Sequence, residues 1–156
     1  KEEIDKLFKL TFEDSATMSA VLIKDGYIVK EKHAEGFDKN SYGTSWSTAK
    51  SFYAALIGIS LDKGEIQSLD EPVGNYIDSY NRDGKEDITI RQILNMTSGL
   101  EFPSHEHEMM FFEENHLEYA LEVGVESTPG EKFQYNNVNS MLMGEILKSA
   151  TGKTAK

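Results

Sequence analysis

The segment SWSTAKSFYAALIGISLDKG, residues 45–64, decides how the rest of the chain is interpreted. It places Ser47 three residues before Lys50, at the start of an apolar run that ends at a second such pair, Ser60 and Lys63. The run leaves no broad polar face, so it predicts a helix that passes through the centre of a domain. Because the Ser-x-x-Lys pattern occurs at both ends of this helix, the pattern alone does not separate chemistry from coincidence.

The two copies of the pattern differ in the end of the helix on which they lie. Helix termination explains Ser60 and Lys63, since a lysine just before Gly64 complements the negative end of the helix dipole. Ser47 lies at the opposite end, where backbone N–H groups and the positive end of the dipole stabilise negative charge beside its hydroxyl. Lys50 falls on the same face, and the positive helix end disfavours its protonated form. A neutral Lys50 can take the serine proton; the alternative is that Ser47 caps the helix and Lys50 extends outward.

Length and charge narrow the class of protein. The chain has 156 residues, which suits one domain with a substantial core. Sixteen basic and twenty-seven acidic residues give a formal charge of −11, which repels nucleic acid and anionic membrane surfaces. The sequence has no cysteine, which excludes disulfides, a thiolate nucleophile and a cysteine metal site. No apolar run approaches the length of a membrane span.

Turn and capping residues predict a helix, a hairpin and then a mainly helical stretch. Asp25-Gly26 predicts a tight turn between two strands. Ser68-x-x-Glu71 and Thr89-x-x-Gln92 have the form of capping boxes at helix starts, and Gly152 is the expected end of the last helix. The predicted segments are a short helix at residues 1–10, the hairpin at 18–31, the nucleophile helix at 47–63, the helical lobe at 66–125 and a further segment at 128–152.

Three segments carry a resemblance to a known family. They are TSWSTAKSFYAALIGISLDKGEIQSLDEPVGNYI at residues 44–77, ITIRQILNMTSGL at 88–100 and TPGEKFQYNNVNSMLMGEILKSATG at 128–152. In this order they resemble the serine β-lactamase-like, penicillin-recognising enzymes, and most closely the branch of 6-aminohexanoate-dimer hydrolases and related esterases. The resemblance implies an α/β (α+β) fold of the β-lactamase/transpeptidase type, with a helical lobe packed on a mainly antiparallel sheet.

The resemblance also implies roles for individual residues. Ser47 would be the nucleophile that forms an acyl-enzyme, and Lys50 would be its base or proton shuttle. Tyr135-Asn136-Asn137 matches the Tyr-x-Asn form of the second motif, so Tyr135 would accept the serine proton and return it to the leaving group. Asn137 would bind the substrate carbonyl side or orient Lys50. The alternatives are that Tyr135 packs against the hairpin and that Asn137 caps the helix that follows.

One feature of the family has no counterpart in this sequence. The family completes its site with a strand that bears Lys-Thr-Gly or similar residues, and Thr151-Gly152-Lys153 has the wrong order. The chain therefore resembles the N-terminal portion of a larger hydrolase. We expect it to associate with the remaining C-terminal part or with a second copy, because the hairpin and one face of the Ser47 helix would otherwise lack cover. The chain also lacks an initial methionine, so an upstream segment is expected, and a signal peptide would favour an extracytoplasmic location.

The expected function is that of a serine hydrolase on a small amide or ester, of the carboxylesterase, amidase or D,D-peptidase type, without cofactor or metal. The alternative is a catalytically inactive binding or sensor module with the same fold. His105-x-His107 suggests a metal site but lacks the helical spacing of metalloproteases, so we expect a solvated acidic loop there. Phe111-Phe112 would either line an acyl pocket or anchor this loop to the core.

Overall fold

The computed structural model describes residues 1–102 and 112–154. The chain divides into two units, Lys1–Trp46 and Ser47–Lys156. Within the described ranges, no helix combines the length and the apolar character that crossing a membrane requires.

The first unit is a helix on a two-stranded sheet. Helix α1 is Glu2–Thr11, and strands β1 (Ser19–Lys24) and β2 (Tyr27–His33) pair antiparallel. Both residues of the predicted turn, Asp25-Gly26, have positive φ angles of 50° and 80°, as a tight hairpin turn requires, so this prediction is confirmed. Lys30 of β2 forms an ion pair with Asp5 of α1, and its Nζ lies 5.0 Å from the ring centroid of the buried Phe8. These contacts hold α1 on one face of the hairpin.

The hairpin contains a bulge that sets its register. Leu22 pairs with Lys30 and Ile23 pairs with Ile28, so Val29 is an extra residue on β2. Beyond the bulge the pairing continues to the open end of the hairpin, where Ser19 lies opposite His33.

The second unit is mainly helical. Its described helices are α2 (Ala49–Asp62), α3 (Ile90–Leu94), α4 (His116–Glu122) and α5 (Asn137–Thr151), with 3₁₀ turns at Val73–Asn75 and Asp78–Tyr80. A further 3₁₀ turn, Trp46–Thr48, includes the last residue of the first unit and the first two of the second. The core lies along α5, where Val138, Leu142 and Ile146 are fully buried. Their spacing of four residues places them on one stripe of the helix. On α5, Gly144 faces Tyr53 of α2, and a Cβ there would lie 3.6 Å from the tyrosine ring.

Helix α2 is less buried than the sequence predicts. Ile57 and Ser60 are its buried residues, whereas Phe52 is 66% exposed and Leu56 and Ile59 are also exposed. The prediction that α2 passes through the centre of the domain is therefore wrong for the described residues. A helix that is apolar on every side is covered only where a neighbour packs on it, and α5 contacts α2 along one side. The predicted association with a further segment or a second copy stays a prediction.

The predicted capping box at Ser68 does not start an α-helix. Glu71 Oε1 accepts hydrogen bonds from the backbone N–H groups of Gln67 (3.0 Å) and Ser68 (3.2 Å) and from the Tyr76 hydroxyl (2.7 Å), and Oε2 accepts one from Asn75. Burial acts to raise the pKa of Glu71, but these hydrogen bonds outweigh it and leave that pKa lowered. The segment thus folds around one carboxylate. The second predicted box, Thr89-x-x-Gln92, is confirmed at the start of α3.

The C-terminal end of α4 is held by two side chains from the preceding turns. Tyr80 donates its hydroxyl to the carbonyl of Ala120 (3.0 Å), and Lys85 Nζ donates to the carbonyl of Leu121 (3.0 Å). Lys85 is only 4% exposed, and burial lowers its pKa. Because helix C-termini carry partial negative charge, the lysine stabilises this end of α4.

Candidate active site

The first Ser-x-x-Lys pair lies at the start of α2 with its polar atoms in contact. Lys50 Nζ donates a hydrogen bond of 3.3 Å to Ser47 Oγ. Ser47 is exposed and Lys50 is half-buried. The N-cap residue of α2 is Thr48, and its side chain makes no capping hydrogen bond. Ser47 is therefore not the cap, so the alternative that it merely caps this helix is wrong.

Tyr135 lies beside this pair. Lys50 Nζ is 4.9 Å from the centroid of the Tyr135 ring. Hydrogen bonds from Lys50 and from Ser47 lower the pKa of Tyr135 from its usual value near 10, and they outweigh the opposing effect of burial. The tyrosine is 45% exposed, so its ring remains accessible from solvent. The structure thus brings together Ser47, Lys50 and Tyr135. Lys50 follows Ser47 by about one helical turn, whereas Tyr135 lies far from both in the sequence.

Three hydrogen bonds to earlier parts of the chain hold the segment that carries Tyr135. Gln134 N–H donates to the carbonyl of Met96 (2.8 Å), and Gly130 N–H donates to the carbonyl of Thr97 (2.7 Å). The Gln134 side chain also donates to the carbonyl of Phe102 (3.3 Å). The residue directly before Tyr135 is thereby fixed at both its backbone and its side chain.

The Thr-Ser-Gly turn, residues 97–99, packs against the chain before Tyr135 and depends on Gly99. Its φ angle is 75°, in the left-handed region that favours glycine. A Cβ at this position would lie 2.1 Å from the carbonyl oxygen of Ser127, which is far inside van der Waals contact. The Gly99 carbonyl accepts hydrogen bonds from the N–H groups of Glu126 (2.9 Å) and Ser127 (3.3 Å). Close backbone approach at Gly99 therefore joins the Thr-Ser-Gly turn to the chain that leads to Tyr135.

The two asparagines of the Tyr-x-Asn segment occupy different positions. Asn136 is the N-cap of α5, and its Oδ1 accepts from the N–H of Val138 (2.8 Å). Its Nδ2 donates to the carbonyls of Leu100 (3.3 Å) and Glu101 (3.4 Å). The alternative that Asn137 caps the helix is wrong, because Asn137 is already the first residue of α5 and is buried. Its contact with substrate or with Lys50 stays a prediction.

Sequence reasoning missed the supporting roles of Asn136 and Gln134. The signal for Asn136 was present, since asparagine is a favoured N-cap residue. Two consecutive asparagines offer that signal twice, and only the backbone conformation shows which one ends the extended segment. No comparable signal marks Gln134, because its partners lie more than thirty residues earlier in the chain.

The second Ser-x-x-Lys pair has the structural role that the sequence predicts. Lys63 is the C-cap of α2, its N–H donates to the carbonyl of Ile59 (3.0 Å), and Gly64 has a φ angle of 72°. Ser60 is 4% exposed. Helix termination therefore explains this copy, as predicted.

The predictions for the acidic loop concern residues that the structure leaves undescribed in large part. His105, His107 and Phe111 lie outside the described residues, so the solvated loop and the position of Phe111 stay predictions. Phe112 is exposed and does not anchor the segment to the core, and His116 begins α4. Among residues 1–102 and 112–154, no three His, Asp or Glu side chains are grouped so as to hold a metal ion.

Comparisons with known proteins agree with this architecture. The family model described as Beta-lactamase matches residues 5–156. No curated protein gives a significant match to the sequence. Three solved structures are similar. A Bacillus anthracis protein designated a 6-aminohexanoate-dimer hydrolase is 22% identical, with a TM-score of 0.77 over 93% of this chain and 43% of that chain.

The second solved structure, designated a β-lactamase from Bacteroides dorei, is 24% identical, with a TM-score of 0.78 over 98% of this chain and 47% of that chain. The third is an octameric penicillin-binding protein homologue from Pyrococcus abyssi, 20% identical, with a TM-score of 0.66 over 98% of this chain and 40% of that chain. The chain spans less than half of the length of each structure. The predicted fold of the β-lactamase/transpeptidase type is confirmed.

Proposed function

Because the chain belongs to the β-lactamase family, we propose that it is a serine hydrolase that cleaves a small amide or ester through an acyl-enzyme. The observation that carries this proposal is the hydrogen bond of 3.3 Å from Lys50 Nζ to Ser47 Oγ, with the centre of the Tyr135 ring 4.9 Å from the same Nζ. A nucleophile beside a base that a third group orients is the arrangement that covalent catalysis needs.

In the proposed acylation, Ser47 Oγ attacks the carbonyl carbon of the substrate. Its proton passes to the Lys50 amine or to the Tyr135 phenolate. The same proton then goes to the leaving amine or alcohol as the bond to the carbonyl carbon breaks, and the acyl group remains on Ser47. Water repeats the sequence in the second step and releases the acid.

The start of α2 supports the charge that develops in this reaction. The backbone N–H groups of its first turn carry the positive end of the helix dipole, and the Thr48 side chain does not occupy them. Donors at such a position stabilise the oxyanion of a tetrahedral intermediate.

The environment of Tyr135 supports its part in the proton transfer. A lowered pKa means that a larger fraction of the phenol is ionised at a given pH, so more of it is able to accept a proton. The two hydrogen bonds that lower the pKa come from the groups with which Tyr135 would exchange that proton. Asn137, two residues later, would bind the carbonyl side of the substrate.

The openness of the site and the names of two similar structures support a small amide or ester as the substrate class. Ser47 is exposed, so a small amide or ester reaches it without rearrangement of the described residues. Two of the similar structures are designated a 6-aminohexanoate-dimer hydrolase and a penicillin-binding protein homologue. The first name refers to hydrolysis of an amino-acid dimer and the second to penicillin binding, and both support a small amide as the substrate.

The test is the Ser47→Ala variant in the protein at its full natural length, assayed with a p-nitrophenyl ester. We expect turnover to fall by about 10³-fold or more, because the nucleophile is lost. Ser60→Ala removes the same group from the second copy of the pattern and should keep its turnover within about a factor of two. Unchanged turnover in Ser47→Ala, with contaminating esterase excluded, would disprove the assignment.

Labelling separates the hydrolase from an inactive module with the same fold. A fluorophosphonate should modify the peptide that contains Ser47 in an enzyme that also turns over esters. Modification of this peptide without turnover would favour a binding or sensor module instead.

A further inference from the structure

A second serine hydroxyl lies beside a base in the first unit. Ser19 Oγ of β1 is 2.8 Å from His33 Nδ1 of β2, and His33 Nε2 is 2.9 Å from Glu31 Oε1. The hairpin register explains this chain of contacts. Ser19 lies opposite His33, and Glu31 precedes His33 by two residues, which places both side chains on the same face of the sheet.

Glu31 determines which nitrogen of the neutral imidazole carries the proton. A carboxylate only accepts hydrogen bonds, so His33 Nε2 carries the proton and donates a hydrogen bond to Glu31. Nδ1 then has a free lone pair and accepts a hydrogen bond from the Ser19 hydroxyl. A serine that donates to an imidazole, which a carboxylate orients from its other side, is the relation found in activated serine nucleophiles.

Space for a reagent lies next to this serine. Ser19 lines a cleft of about 540 Å³, a volume within the range of small-molecule sites. The residues that line the cleft include the apolar Met18 and Phe37 and four hydroxyl-bearing residues, Thr11, Thr17, Ser41 and Tyr42. The side chains of His33 and Glu31 are only 20% and 34% exposed, so the base and its orienting carboxylate are partly shielded from water.

We propose that Ser19 is a second reactive serine, which accepts an acyl or phosphonyl group from small activated esters and fluorophosphonates. Ser19 Oγ forms a bond to the carbonyl carbon or phosphorus, and its proton passes to His33 Nδ1. The bond to the phenolate or fluoride breaks, and the leaving group departs with that electron pair. Glu31 stabilises the imidazolium, which then releases its proton to the leaving group or to water.

This site shares no residue with Ser47, Lys50 or Tyr135, so it does not depend on the function proposed for them. Its predicted chemistry ends at the covalent adduct. Ser19 therefore adds a second labelled position to the protein without adding ester turnover.

The test uses Ser47→Ala in the protein at its full natural length, treated with an alkyl fluorophosphonate. Mass spectrometry of the digested protein should find the adduct on the peptide that contains Ser19. His33→Gln in the same background should slow this labelling by about 100-fold or more, the usual contribution of a general base. Ser15→Ala removes an exposed serine hydroxyl that does not line this cleft and should leave the rate of Ser19 labelling unchanged.

A hairpin contact without chemical consequence gives different results. If no adduct forms on the Ser19 peptide, or if His33→Gln is labelled as fast as its parent, the proposal is wrong. Circular dichroism reports whether His33→Gln keeps the hairpin. If it does not, Glu31→Gln carries the test, because the nearly isosteric amide keeps the fold while it loses the charge that stabilises the imidazolium, and labelling at Ser19 should still slow.

Discussion

The two ends of α2 carry the same four-residue pattern and have opposite surroundings. At the first end, Ser47 is exposed and accepts a hydrogen bond from Lys50. At the second end, Ser60 is buried, and Lys63 is the residue at which the helix ends. The order of residues is identical, so the difference arises from the polarity of the helix and from what lies next to each end.

The two ends of α2 also have different neighbouring residues in the structure. At the first end, Lys50 contacts Tyr135, whose segment is held in place by hydrogen bonds to distant parts of the chain. The second end meets Gly64, whose positive φ angle reverses the chain. We therefore expect chemistry at a Ser-x-x-Lys pattern only where a second segment places a further acid or base beside it.

Replacement of each lysine in turn by methionine gives the largest expected contrast between the two ends of α2. Lys50→Met should lower ester turnover by about 10²–10⁴-fold, because it removes the proposed base and the donor that faces Tyr135. Lys63→Met changes the same atoms at the other end and should leave turnover within about a factor of two. Steady-state kinetics on both variants measures the contrast. Equal losses in the two variants would mean that Lys50 acts only as a structural residue.

The pH dependence of activity sharpens the role of the first end. Tyr135 has a lowered pKa, so if it acts as its ionised form, as proposed, kcat/KM should rise with pH through a pKa below 10. Lys50 is the largest cause of this lowering, so Lys50→Met should move the ionisation of Tyr135 to higher pH. The near-ultraviolet absorbance of the tyrosinate, with Tyr135→Phe subtracted, follows this ionisation directly. An unchanged titration in Lys50→Met would show that the two side chains are not coupled.

The turn that supports the first end should not tolerate a side chain. Gly99→Ala would place a Cβ against the Ser127 carbonyl in a backbone conformation that favours glycine. We expect a loss of about 2–3 kcal/mol in the free energy of unfolding, together with a fall in turnover. Chemical denaturation measures the first effect. A variant as stable as the parent protein would show that this backbone approach is not required.

Asn136 should have a smaller effect that separates into two parts. Asn136→Ala removes the cap of α5 and the hydrogen bonds to the carbonyls of Leu100 and Glu101, and should cost about 1–2 kcal/mol. Asn136→Ser restores the cap alone. If the bonds to the carbonyls position Tyr135, the serine variant regains stability while kcat stays low and KM is little changed. Full recovery of kcat in Asn136→Ser would limit this residue to capping.

The smallest expected effect is a gain in the stability of the protein from a substitution in the middle of α2. Gly58 lies in the middle of α2, and a Cβ there would meet no atom within 4 Å. Gly58→Ala should raise the free energy of unfolding by about 0.5–1 kcal/mol, because glycine is the weaker helix former. Turnover should not change, since neither end moves. A loss of stability would mean that another surface covers this part of α2 in the protein at its full natural length.

Features encoded by neighbouring residues could be predicted from the sequence. The turn at Asp25-Gly26 and the capping box at Thr89 each depend on a few consecutive residues, and each is confirmed. The box at Ser68 has the same local form, but Glu71 takes hydrogen bonds from Tyr76 and from backbone groups, and no α-helix starts there. Competing acceptors of this kind are not visible in a short motif.

Features that join distant segments could not be derived from spacing. Only the family resemblance implies that Tyr135 approaches Lys50. The two residues are far apart in the sequence, and no local pattern links them. The Ser19, His33 and Glu31 contacts require the strand register, and the bulge at Val29 shifts that register by one residue. The burial of α2 was overestimated because its composition shows that it can be buried, but not which sides have neighbours.

The buried Lys85 gives the protein a built-in reporter of local unfolding. A protease that cuts after lysine can attack the exposed Lys63, but it reaches the buried Lys85 only when the turn before α3 opens and Lys85 releases the Leu121 carbonyl. Where reclosing is faster than cutting, the cleavage rate at Lys85 is proportional to the fraction of time that this turn is open. The residue that stabilises the end of α4 thereby also records, in the fragments of a digest, how often that end comes apart.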